Sequence, residues 1–241
     1  MKAFLLAAGK GTRLRPYTDT VPKCLMPIGD RTLLEIWISL MERHGIESVL
    51  INTCHHADQV VRFVDRIRDR FRIHIELFHE PELLGSGGTL RANQAFVDGE
   101  DDFFICYADN LTNMDLTGMA RAHQVFRARG AVLTMGLFHA TDPRACGIAV
   151  LDDSGKIVEF AEKPAHPKSD LANAGVYVAA GGIFDCFPER QDDSRGPLDL
   201  GHHILPGLTD RMFGYFIKDY LKDIGTIESY HAALDQWQKR A

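Results

Sequence analysis

The chain has no apolar run approaching the roughly 18 residues that a membrane-crossing helix requires. Cysteine is sparse: the five residues Cys24, Cys54, Cys106, Cys146 and Cys186 are odd in number, widely spaced and never arranged as CxxC. That excludes a disulfide framework or a cysteine-rich zinc site and points to free thiols in a reducing, cytoplasmic setting. Positive charge is in deficit, with 27 Lys and Arg against 33 Asp and Glu, a net charge of −6 and a pI near 6.0. A broad basic footprint for nucleic acid is excluded, but a small phosphate ligand held by a few local cations is not. There is no internal repeat and no low-complexity tail, and the apolar stretch Ala3–Ala8 is too short for a signal-peptide core.

What is present suffices for one large domain, or one domain with a small lobe: 241 residues, 45% hydrophobic and 25% charged. The first half alternates strand-like and helix-like segments. Strands are predicted at Ala3–Ala8, Ser48–Asn52, Ile73–Phe78, Phe103–Tyr107 and Ala131–Leu137. Thr32-Leu33-Leu34-Glu35 is a capping-box start. The helix it opens has apolar residues at Leu33, Ile36, Trp37, Leu40 and Met41, and Gly45 stops it. Further helices are predicted at Ala57–Asp69, Gly88–Val97 and Thr117–Arg129. This alternation predicts βαβ units, a mostly parallel sheet flanked by helices, and a ligand site beyond the strands' carboxyl ends. After residue 138 short strand-like pieces (Gly147–Leu151, Lys156–Phe160, Ala174–Ala179) predict a small antiparallel lobe. Gln191–Gly196 reads as a polar mobile loop, Met212–Ile217 as a late strand and Thr226–Arg240 as a closing helix.

Three clusters follow the predicted strands. The first is Gly9-Lys10-Gly11-Thr12-Arg13-Leu14-Arg15-Pro16, trailed by Pro22-Lys23-Cys24-Leu25-Met26-Pro27. Glycines let backbone N–H groups approach a phosphate, Thr12 adds a hydroxyl, Arg13 a fork for phosphate oxygens and Lys23 a mobile charge. A Walker A loop is absent, and the sixth position of a GxGxxG fingerprint is Leu14. The second cluster is His79-Glu80 with the glycine loop Leu84-Gly85-Ser86-Gly87-Gly88-Thr89, and the third is Asp109-Asn110. The pairs His55-His56 and His202-His203 lack a Cys or carboxylate at ligand spacing and are not read as a transition-metal site.

The pairing Gly-x-Gly-Thr-Arg-Leu-x-Pro … Pro-Lys-x-Leu-x-Pro-Ile resembles the signature of the sugar-1-phosphate nucleotidyltransferases, the nucleotide-sugar pyrophosphorylases. Leu84–Thr89 is similar to the family's nucleobase loop. Gly147, Glu162-Lys163-Pro164 and Asn173-Ala174-Gly175 resemble its sugar-binding elements, and Asp223-Ile224-Gly225-Thr226 its second metal motif. The resemblance spans residues 1 to about 235. It implies a Rossmann-like, nucleotide-diphospho-sugar transferase (GT-A-like) α/β fold in a single domain over residues 1–241. Residues 1–138 would form the nucleotide-binding half, 139–225 the sugar-binding lobe and 226–241 the closing helix.

The reaction implied is NTP + sugar 1-phosphate → NDP-sugar + pyrophosphate. The attacking phosphate is already an anion, so positioning and charge neutralisation are what the site must supply. The resemblance implies Arg13, Lys23 and Lys163 as catalytic residues. For the nucleotide it implies Gly9, Gly11, Thr12, Arg13, Glu80, Gly85, Gly87 and Gly88. The sugar phosphate would be met by Asn110, Gly147, Glu162, Lys163 and Asn173, and Mg²⁺ by Asp109 and Asp223.

The LGSGGT loop looks most like that of mannose- and manno-heptose-1-phosphate guanylyltransferases, while thymidylyl- and uridylyltransferases share nearly every motif. A phosphocholine cytidylyltransferase would want an aromatic cage, and the intact Glu162-Lys163 and Asn173 argue against it. A non-catalytic relative would be expected to have lost one of Arg13, Lys23, Asp109, Lys163 or Asp223, and all are present. Two departures, Ile227 where proline is common and Ser86-Gly87 where Thr-Ala is frequent, are able to shift base preference. No hexapeptide repeat of a β-helix is seen, so a monomer or homodimer is expected, with neither nucleic-acid nor membrane partners.

Overall fold

A computed structural model describes residues 1–189 and 196–239. The expected loop at 191–196 and the end of the closing helix therefore fall largely outside the described residues. The elements are β1 (Lys2–Leu6), β2 (Pro27–Ile28), β3 (Arg31–Thr32), α1 (Leu33–Arg43), β4 (Ser48–Thr53), α2 (Ala57–Ile67), β5 (His74–His79), α3 (Ser86–Ala92), β6 (Asp102–Tyr107), β7 (Asn110–Thr112), α4 (Leu116–Arg127), β8 (Leu133–His139), β9 (Gly147–Leu151), β10 (Ile157–Glu162), β11 (Leu171–Ala180), β12 (Met212–Phe216), β13 (Leu221–Asp223) and α5 (Ile227–Gln238).

Their boundaries follow local chemistry. Thr32 caps α1 by accepting the Glu35 N–H, and Gly45 takes the left-handed conformation just beyond it. The helix buries residues all round, including Trp37, so it lies inside its unit rather than on its surface. In α2 the buried residues are Val60, Phe63, Val64 and Ile67, one stripe of a 3.6-residue repeat facing β5. Thr226 and Ser229 form a reciprocal capping box that starts α5 one residue later than expected.

The chain divides into two compact units, both discontinuous. The first comprises 1–83, 106–114 and 219–241. Within it β1, β4 and β5 form a parallel sheet in that order, register running Leu5–Ile51 and Ile51–Leu77. Short β13 pairs antiparallel with β7. The second unit comprises 84–105 and 115–218. Here β9, β10 and β11 pair antiparallel, as expected of the pieces after residue 138, and β8, expected among the mostly parallel strands of the first half, also pairs antiparallel with β11. The late strand β12 runs parallel to β8. This α/β arrangement is the predicted class. Strands β7 and β13, too short to show periodicity, complete the first unit.

Candidate active site

The first unit carries nine of the expected site residues, and four of them, Arg13, Lys23, Asp109 and Asp223, meet in one cluster. β1 ends at Leu6, and the chain enters the glycine loop with the Ala7 N–H held by Asn52 Oδ1 at 2.6 Å. Asn52 in turn donates to Glu80 Oε1 at 2.8 Å, and Glu80 is fully buried. Glu80, expected at the nucleotide, thus braces the exit of β1. Gly11 adopts φ 61°, and a Cβ there would stand 2.9 Å from the Thr18 methyl, so this turn needs glycine. Gly9, Thr12 and Arg13 lie exposed along the loop.

Lys23 is the centre of the cluster. Its ammonium donates to Asp109 Oδ2 at 2.9 Å and to Asp223 Oδ1 at 3.4 Å. Arg13 adds a guanidinium 3.9 Å from Asp223 Oδ2. The partners of Lys23 lie 86 and 200 residues away along the chain. Pairing of β7 with β13 brings them together: Asp223 is in register with Asn110, and the Ile224 N–H donates to the Asp109 carbonyl at 3.1 Å. Trp37 fixes β7 from behind, donating to the Asn110 carbonyl at 2.7 Å. Gly225 lies close under the pair, where a Cβ would stand 2.8 Å from the Asp223 carboxylate and 2.9 Å from the Arg13 guanidinium. Asn110, expected at the sugar phosphate, is itself buried.

Two carboxylates converging on one cation make a fitting pair of hard oxygen donors for Mg²⁺. They are 40% and 52% exposed, which leaves room for the waters and phosphate oxygens that the ion prefers. Among the described residues no three His, Cys, Asp or Glu side chains gather at metal-binding distance. These two aspartates are the side chains here that could hold such an ion. All five cysteines are free, and burial pushes the Cys24 thiol up to about 12, which keeps it protonated.

The second unit carries the other expected residues. Gly85 opens α3 with φ 79°, and a Cβ there would lie 2.5 Å from the Leu198 carbonyl oxygen. That same oxygen accepts the Gly87 and Gly88 N–H groups at 2.8 and 3.0 Å, and the Leu198 N–H donates to the Leu84 carbonyl. Gly85 therefore admits the backbone of Leu198, while a Cβ on Gly87 would first meet the Ile204 side chain and one on Gly88 that of Leu84. Ser86 donates to Asp199 Oδ2 at 3.1 Å and accepts the Leu200 N–H at 2.8 Å. Asp199, which no sequence pattern singled out, caps the turn Leu200–Ile204 by accepting the His202 N–H.

On β9 and β10, Gly147 and Glu162 are in register, and a Cβ on Gly147 would lie 2.5 Å from Glu162 Oε2. Burial raises the Glu162 carboxyl above the ordinary glutamate range; Lys163 and His202 act against that, and Asp199 reinforces it. Lys163 takes φ 47°, a strained conformation for a residue with a Cβ, and its ammonium lies 3.8 Å from Glu162 Oε1. Asn173 sits where β11 shifts register against β8; it donates to Tyr177 Oη at 2.6 Å and accepts the Gly175 N–H.

The nucleotidyl transferase family model matches residues 2–240. The chain belongs to the nucleotidyl transferase family. It is 33% identical to a UTP–glucose-1-phosphate uridylyltransferase of Synechocystis sp., over 97% of this chain and 62% of that protein. It is 31% identical to a mannose-1-phosphate guanylyltransferase of Mycobacterium tuberculosis, over 95% of this chain and 62% of that protein. The chain thus spans about three fifths of the length of these relatives. A UDP-glucose pyrophosphorylase crystallised with UDP-glucose superposes with a TM-score of 0.82 at 21% identity, covering 100% of this chain and 99% of the other. That likeness establishes the family's nucleotide-diphospho-sugar transferase fold. No helix among the described residues is long and apolar enough to cross a membrane.

Proposed function

We propose that this nucleotidyl transferase joins an NTP to a sugar 1-phosphate, releasing pyrophosphate. A sugar-phosphate oxygen attacks the α-phosphorus, the bond to the bridging α–β oxygen breaks, and its electron pair leaves with pyrophosphate. The observation that carries the reading is the Lys23 ammonium set between Asp109 and Asp223. The arrangement suits a reaction that needs charge offset more than a nucleophilic side chain. Bound Mg²⁺ would be held by the two aspartates and would neutralise phosphate charge. Arg13, two-thirds exposed beside Asp223, supplies a fork for the leaving phosphates. In the second unit, Lys163 beside Glu162 is suited to a sugar phosphate, with Glu162 and Asn173 accepting from sugar hydroxyls.

For the finer assignment we propose guanylyl transfer to mannose or manno-heptose 1-phosphate. The likeness of the Leu84–Thr89 loop and the mannose-1-phosphate guanylyltransferase relative support it. The uridylyltransferase relative makes uridylyl transfer the competing reading.

The test is Mg²⁺-dependent pyrophosphate release from GTP, dTTP, UTP, CTP and ATP. Each is offered with mannose, manno-heptose, glucose, N-acetylglucosamine and N-acetylmuramate 1-phosphates, and with phosphocholine. Turnover with one nucleotide and one sugar phosphate that collapses in Asp109→Ala supports the reading, and GTP with a mannose-type phosphate supports the finer one. Turnover with phosphocholine alone, or no nucleotide binding by the folded protein, overturns it.

A further inference from the structure

The glycine loop has a crown that the reaction chemistry leaves unused. Residues Tyr17–Asp19 form a single helical turn between Arg13 and Lys23. Neighbouring elements of the first unit hold it on several sides. Thr18 Oγ1 donates to the Gly11 carbonyl at 2.8 Å, tying crown to loop base. From the start of α2, His56 Nε2 reaches the Asp19 carbonyl at 3.2 Å and Gln59 donates to the Thr20 carbonyl at 2.8 Å. A carbonyl accepts and does not donate, so His56 must carry its proton on Nε2 here. His56 makes this bond from φ 54°, a strained backbone for histidine. From α5, His231 Nε2 meets the Tyr17 hydroxyl at 3.2 Å. The Tyr17 ring stands edge-on to Tyr230 with centroids 5.8 Å apart, and Tyr230 is anchored through its hydroxyl to the Pro27 carbonyl.

The placement of this latch is informative. The helix that supplies His231 begins at the Thr226 cap, three residues beyond Asp223. The loop that supplies Tyr17 carries Arg13 at one foot and Lys23 at the other. A Tyr17–His231 bond therefore joins the segment bearing two cations to the segment bearing the carboxylate that both of them face.

We propose that Tyr17 and His231 are positioning residues for nucleotide binding. They latch the crown of the loop to α5 so that Arg13 and Lys23 are in register with Asp223 before the triphosphate arrives. The proposal deepens the nucleotidyl-transfer reading and rests on it for its kinetic arm. A pre-set loop spares the ligand the cost of ordering it, so loss of the latch falls on nucleotide affinity and leaves the chemical step.

The test compares Tyr17→Phe, which removes only a hydroxyl, His231→Leu, and His231→Gln, whose amide can still bond a phenol. Loss of one exposed hydrogen bond is expected to raise the KM for the nucleotide about threefold to tenfold, with kcat within about twofold. His231→Gln is expected to restore the parental KM. Tyr17→Phe combined with His231→Leu is expected to be no worse than either alone, because both remove one bond.

A second readout needs no turnover. The Arg13–Leu14 bond is shielded because Leu14 is fully buried, so trypsin can cut there only when the loop opens. In nucleotide-free protein, cleavage after Arg13 is expected to quicken by a similar factor in Tyr17→Phe and His231→Leu, and not in His231→Gln. Cleavage unchanged in all three variants would overturn the latch, as would a fall in kcat at constant KM. If the parent turns over no substrate, the transfer reading fails, and the protease rates still decide on the latch.

Discussion

Lys23 sits within 3.4 Å of two carboxylates while its side chain is only 10% exposed, so it cannot be removed without leaving like charges facing each other. Lys23→Met is expected to lower kcat/KM on the order of a hundredfold, the scale of losing one preorganised group at developing charge, as steady-state kinetics would show. Asp223→Asn keeps the shape and removes one of the two carboxylates proposed to hold Mg²⁺, so half-saturation by Mg²⁺ is expected to rise at least about tenfold in a metal titration of activity. His123 is a residue of a different kind. It is fully buried, with Nδ1 2.8 Å from Thr134 Oγ1 and Nε2 3.2 Å from Asp102, which also pairs with Arg127. Burial is the main cause holding its pKa below the ordinary histidine value, with Arg127 adding to it and Asp102 opposing. Above pH about 6.5 the ring is neutral folded or unfolded; as pH falls below that, the unfolded chain takes up a proton that the folded one refuses, and stability drops. Urea unfolding at pH 7.5 and 5.5 is expected to show a smaller acid loss in His123→Gln than in the parent. At this scale the sequence announced Arg13, Lys23, Asp109 and Asp223 through motif, and these meet in one cluster. It did not announce Asn52, Asp199 or Tyr17, because a brace within a strand or loop carries no periodic or compositional mark. The glycines of the 84–89 loop were visible, but the backbone that Gly85 admits, that of Leu198, lies more than a hundred residues on.

Elements divide by how much local information specifies them. Helix α1 was legible because its apolar spacing and the Thr32 cap act within a few residues, and α2 because its apolar stripe does. The pair β7 and β13, three residues each, has too little length for alternation to show, yet it builds the aspartate pair. Its rigidity continues into α5 through the Thr226 capping box, where the Thr226 hydroxyl accepts the Ser229 N–H and the Ser229 hydroxyl accepts the Thr226 N–H. Thr226→Ala is expected to cost about 1 kcal/mol, seen as a Tm about 2–4 °C lower. Gly85→Ala is a sharper test of the other loop. At φ 79° with a Cβ 2.5 Å from the Leu198 oxygen, it is expected to destabilise by at least about 1 kcal/mol in chemical denaturation. The parallel course of β12 beside β8 was not legible either, since strand direction is decided by the partner and not by the strand's own residues.

For the whole molecule, the order of residues in the chain is not the order of assembly. The first unit draws on three separated stretches, the third being 219–241, which brings Asp223, α5 and His231. The alternating first half made the α/β class readable, but no composition shift marks a unit stitched from distant pieces. The stitching has a consequence for synthesis. At ribosomal speeds of about 5–20 residues per second, the stretch from Asp109 to Asp223 takes on the order of ten seconds to emerge. Throughout that interval β7 lacks its strand partner, Lys23 has one carboxylate instead of two, and the loop crown has no histidine from α5. A nascent chain can fold much of its parallel sheet early, but its charge cluster closes in a single late event, so incomplete chains are made without the pair of carboxylates that a metal–nucleotide complex would seek.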